Sequence, residues 1–147
     1  TFISSAGSRP LQASLFARAG QYFDGSIVSV SLSPRWRMSP HFTWGLDLQH
    51  SDVRFPDRDE RFVADIVRWR GTVSYDTHLS ADTFVQYNSR GGLVSSNLRV
   101  RYNFAEGRDL WLVYNEARNT LDSLDGELLP DTQGRTVLLK YVHTFGL

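Results

Sequence analysis

Arginine returns on alternate residues in two stretches, Arg68 with Arg70 and Arg99 with Arg101. In an extended chain this spacing sends both guanidiniums of a pair to one face, because successive side chains leave opposite sides of the pleat. Arg35, Asp47, Asp82 and Lys140 fall on the matching parity of their own runs, among Ser, Thr, Asn and Gln. The set Arg35, Asp47, Arg68, Arg70, Asp82, Arg99, Arg101 and Lys140 is the main concentration of chemistry in the sequence. Two roles fit it. The charges and amides can satisfy one another as a structural network, since an unpaired buried charge is costly. Alternatively, six cations facing two carboxylates line a polar conduit that favours anions.

Other chemistry finds little footing. His78 and Ser80 lie near Asp76 and Asp82, but an i, i+2 pattern in a strand does not by itself build a nucleophile, base and orienting group. His41, His50, His78 and His143 are scattered without metal-ligand spacing. The acids Asp52, Asp57, Asp59 and Glu60 do not follow the calcium-loop pattern, and neither do Asp122, Asp125, Glu127 and Asp131. The expectation is no catalytic residue, no metal site and no cofactor, hence a non-enzymatic protein. Arg54, Arg58, Arg61, Arg118 and Arg135 are placed in loops, where they can meet lipid phosphates.

Composition narrows the class. The 147 residues suit one domain. Sixteen basic and sixteen acidic residues cancel, which argues against nucleic acid as a partner. Aromatics reach 13%, so disorder is not expected. There is no cysteine and therefore no disulfide framework. No run of 18 apolar residues suggests a transmembrane helix, but a barrel strand needs only about 9–11 residues, half of them apolar. With no initiator Met and no signal-like start, the chain reads as a mature form or a fragment.

The polar set must be held by strands. The clearest pair is 93–104 and 109–116 around Ala105-Glu106-Gly107-Arg108, where Gly107 can take a positive φ. Further alternating runs cover 13–23, 28–36, 42–49, 62–75, 79–88 and 136–147. Face assignment in 13–23 is ambiguous. Asp24-Gly25 is a hairpin signal, 37–41 and 76–78 are short turns, and 50–61 and 117–135 read as long polar loops. Residues 1–12 read as a connector and 13–147 as one β-barrel domain. The expected fold is all-β: an eight-stranded antiparallel up-and-down transmembrane β-barrel. Alternation of short and long connections supports this in part, because the turns at 24–25 and 89–92 are also short.

The second face points the same way. Trp36, Phe42, Trp44, Tyr75, Tyr102, Phe104 and Phe145 gather near the short-turn ends on the apolar parity. Interfacial aromatics prefer that level of a bilayer, which makes them a membrane-interface girdle. Turned inward, seven such rings would overfill an eight-stranded interior. The C-terminal strand, with Lys140, Phe145 and Leu147, fits the assembly signal of outer-membrane barrels, although Val142 stands where Gly is common and the last residue is Leu.

The runs FVQYNS, SSNLRVRYNF and EGRDLWLVYNE within 82–115, and again 138–147, resemble the C-terminal outer-membrane β-barrel region of a bacterial family of unknown function. Its members are often fused to a domain similar to family 9 carbohydrate-binding modules. YFDGS at 22–26 is similar too. The resemblance implies location in the outer membrane of a Gram-negative-type bacterium and a barrel wider than eight strands, and it implies no activity. Expected partners are outer-membrane lipids, the barrel-assembly machinery acting through the C-terminal strand, and further strands or a periplasmic domain of a longer parent chain. The alternatives are the C-terminal part of a larger porin- or transporter-like barrel and a soluble lipocalin-type ligand-binding barrel.

Overall fold

The computed structural model describes all residues except 6, 8, 122, 125, 126 and 145–147; the side chains of 123, 124 and 127 are likewise outside it. Phe145, Leu147, Asp122, Asp125, Gly126 and the Glu127 side chain therefore lie outside the described residues.

Period-two alternation produces strands almost everywhere. They are β1 (Phe2–Ser4), β2 (Leu11–Tyr22), β3 (Gly25–Ser39), β4 (Phe42–Phe55), β5 (Glu60–Ser74), β6 (Leu79–Asn88), β7 (Leu93–Ala105), β8 (Arg108–Asn119), β9 (Ser123–Leu124), β10 (Glu127–Leu128) and β11 (Thr132–His143). The only helical element among the described residues is the 3-10 turn Pro56–Arg58, and no helix is long and apolar enough to cross a membrane. β1 to β8 and β11 form one nine-stranded antiparallel sheet in simple meander order, while β9 and β10 pair only with each other.

Turn chemistry sets the register. At 105–108 the central Gly107 has φ 70°, as expected of that hairpin. Asp76 closes the 76–78 turn by accepting the backbone N–H groups of His78 and Leu79, both at 2.7 Å. The first hairpin is shifted by one residue from its sequence signal. Tyr22 pairs with Gly25, so Phe23 and Asp24 form the turn, with Phe23 at φ 53°. Gly25 is needed in the strand itself, because a Cβ there would collide with the Arg54 carbonyl oxygen.

Three expectations need correction. The stretch 50–61 is not a long loop, since β4 runs to Phe55, β5 starts at Glu60 and only four residues connect them. Its charges alternate with Val53, Phe55 and Phe62, and Asp52 bonds across the ladder to Arg61 at 2.8 Å, so they stabilise strand pairing instead of ending it. The short–long alternation of connections is correspondingly weaker. Residues 1–12 are not wholly a connector, since Phe2–Ser4 pairs with Ser14–Phe16. The sheet thus has nine strands where eight were expected.

The sheet is a single open layer. Among the described residues no ladder joins β11 to β1 or β2. Its accessible surface is 10659 Å², against about 7,600 Å² for a compact monomer of this mass. Phe55, at 9% exposure, is the only buried apolar side chain among the described residues. Nothing in the sheet itself covers the two faces, whereas a soluble domain stacks at least two layers around a core.

Candidate functional site: a basic sheet face backed by an apolar belt

Register sorts the side chains. Asp47 pairs with Arg68 and Arg68 with Gln86; Gly45 pairs with both Arg35 and Arg70; Asp82 pairs with Arg99; and Trp111 pairs with both Arg101 and Lys140. All eight residues of the predicted polar set therefore share one face. Arg18 and Arg37 join them, opposite Ser29 and Thr43. So does Asp109, two residues from Trp111, whose parity was the available signal.

Part of this face is a satisfied network. Arg70 reaches Asp47 at 3.3 Å and stands over the Phe84 ring at 5.2 Å. Arg68 donates to Gln86 at 3.1 Å, and Thr72 donates to Asp82 at 2.9 Å. Arg101 donates to Asp109 at 2.8 Å and lies over Trp111. Asn97 donates to Asn115. Arg35, Arg99 and Lys140 have no ion pair or side-chain hydrogen bond among the described residues. The face is thus neither fully self-neutralised nor uniformly free.

The opposite face is apolar. On β3 the row Val28, Val30 and Leu32 is exposed, while Ser29, Ser31 and Ser33 on the polar face are half-buried, the reverse of a soluble sheet. Leu32, Leu48, Val67, Tyr87 and Val94 follow one another across β3 to β7. The predicted girdle residues Trp36, Phe42, Trp44, Tyr75, Tyr102 and Phe104 share this face at the short-turn end. Trp36 and Trp44 approach edge-on at 6.3 Å, and Phe104 stacks on Tyr141 at 6.1 Å.

Above the belt, on the same face, sits a charged rim, of which the sequence reading placed His50, Asp52, Arg54, Arg61 and Arg135 in loops, whereas all five stand on strands. Asp52 holds Arg61 and Arg54, His50 pairs with Asp65 at 2.6 Å, and Glu116 pairs with Arg135 at 2.6 Å. In the turn below the belt, backbone N–H donation from Leu79 and then His78 holds the Asp76 carboxyl below its usual range. His78 and Ser80 do not converge: His78 Nδ1 faces the Asn103 carbonyl at 2.7 Å, and Ser80 lies opposite Arg101. No group of three His, Cys, Asp or Glu side chains able to hold a metal occurs among the described residues.

Comparison with protein-family models, with curated proteins and with solved structures finds no match.

Proposed function

We propose that this chain is wall of an outer-membrane β-barrel, with its apolar face in lipid and its Arg-rich face lining the lumen, and that its role is non-enzymatic. One observation carries the reading. On β5 the outward residues Val73, Gly71, Trp69 and Val67 carry no charge, and they are bounded by Tyr75 below and Asp65 above. Ten residue steps separate Tyr75 from Asp65, about 33 Å of strand. At a tilt of about 40° this spans roughly 25 Å along the membrane normal, the height of the apolar band of such barrels. Arg68 and Arg70, at the same height, point to the other side.

The open sheet favours the wider-barrel form of this reading over closure on eight strands. Among the described residues β11 pairs with no strand but β8, and β1 covers only a short part of β2. Unpaired edges of this length invite further strands. The barrel would then be of the kind found in the family that 82–115 resembles, a structural or channel-type protein. The alternatives differ in their needs. A soluble lipocalin-type barrel purifies without detergent. A self-sufficient small barrel refolds in detergent to a compact, heat-modifiable form. A wall segment needs detergent or lipid and stays non-compact or associates.

The deciding experiment is refolding with and without detergent, followed by vesicle flotation and by electrophoresis of boiled and unboiled samples. Flotation with vesicles is the expected result. A monomer that stays soluble and folded without detergent would overturn the membrane reading.

A further inference from the structure

We infer that the gap between Arg35 and Arg70 is a binding site for a small tetrahedral oxyanion of the phosphate class; the inference rests on the polar face being lumenal. Gly45 lies between Arg35 on β3 and Arg70 on β5 in the ladder, which places the two arginines two strand spacings, about 10 Å, apart. Gly45 carries no side chain, and the stem of Arg35 leans over it. A Cβ there would stand in ordinary contact with Arg35 Cγ, at 3.4 Å, and the further methyls of a valine would enter the space beyond it. The resulting cavity is about 190 Å³ and is lined by Arg35, Thr43, Trp44, Gly45, Asp47, Arg70 and Thr72.

The chemistry of the lining suits an oxyanion. Two guanidiniums line the cavity, Arg35 and an Arg70 that also meets Asp47 and the Phe84 ring, and planar forks of this kind match phosphate oxygens. Thr43 and Thr72 form the next rung towards the short turns, and Thr43 has no side-chain partner among the described residues. Arg35 is free of ion pairs among the described residues, and Arg70 shares Asp47 at 3.3 Å. Four cations, Arg35, Arg37, Arg68 and Arg70, face this region against two carboxylates, Asp47 and Asp82, and Asp82 is occupied by the Thr72 hydroxyl. The excess of positive charge persists after both acids are counted.

The test uses the 147-residue chain reconstituted in lipid vesicles, the form in which flotation recovers it, and titrated calorimetrically with inorganic phosphate at low ionic strength. Saturable binding at one site is expected. Arg35→Gln and Arg70→Gln each weaken it about ten- to a hundredfold, the value of a hydrogen bond to a charged group. Gly45→Val abolishes binding while leaving every charge in place. Arg35→Lys keeps the charge but loses the fork and weakens binding, which covers the case where the valine variant misfolds. Arg99→Gln, elsewhere on the same face, leaves binding unchanged. Absence of saturable binding overturns the site. So does wild-type titration by the Arg35, Arg70 and Gly45 variants, or equal weakening by Arg99→Gln, which would mean a diffuse field. Failure of the membrane reading is read separately, by vesicle flotation without phosphate.

Discussion

Tryptophan fluorescence reads the two faces directly. Of the four tryptophans, Trp36, Trp44 and Trp69 share the apolar face and Trp111 the polar one. The perturbation is a set of single-Trp proteins, the other three replaced by Phe, reconstituted in bilayers with bromines at defined acyl depths. Trp69 is six residues from Tyr75, about 20 Å of strand, hence about 15 Å above the girdle at 40° tilt and near the bilayer centre. Trp44 is three residues from His41 at the turn, roughly 8 Å by the same reckoning. Deep bromines should quench Trp69 most, and shallow bromines Trp44 most. Trp111, with the Arg101 guanidinium over its ring at 5.6 Å, should stay bright with both. Trp111 quenched as strongly as Trp69, or Trp69 untouched by deep bromines, would refute the assignment of faces.

Adjacent residues give a second comparison, since Val67 faces Leu48 and Tyr87 while Ile66 faces Gln49 and Asn88. Val67→Arg should lower folding stability in bilayers by about 2–4 kcal/mol, and Ile66→Arg by well under half of that, measured by denaturant unfolding. Gly25→Ala forces a Cβ onto the Arg54 carbonyl and should cost about 1–3 kcal/mol, read as a lower unfolding midpoint. The folded pKa of Asp76 lies below its unfolded value near 3.8, so its stabilisation is complete above that pH and fades as acid protonates the folded carboxylate. The stability gap between wild type and Asp76→Ala should therefore be constant above about pH 5 and narrow below 3.8.

Reading the chain in order recovers most strands because period two survives any tertiary context. It fails where that signal is short or masked. Phe2–Ser4 has three residues, too few to show alternation, and becomes a strand only because the β2 edge offers it ladder partners. At 50–61 charge density imitates a loop, and it takes the pairing of Asp52 with Arg61 to show that the two halves of this stretch face one another across a ladder. The parity of β2 is ambiguous in sequence because Phe16, Tyr22 and Leu15 compete; register with β3 places Leu15 and Ala17 with Leu32 and Val30 on the apolar face.

The polar set was legible as a set, since its members repeat at alternate positions whatever the sheet does next. Its division into paired and free cations was not, because that depends on which strands become neighbours. Asp47 could have met Arg35 or Arg70, and the geometry gives it to Arg70. The Gly45 gap likewise exists only once β3 and β5 flank β4. All-β secondary structure, two chemically opposite faces and the turns at 76–78 and 105–108 are legible in the chain read alone, because they follow from pleat geometry and local φ preferences. The ninth strand, the β4–β5 hairpin, the ion pairs and the open edges emerge with the assembled sheet, because they rest on register and on contacts between residues far apart in the chain.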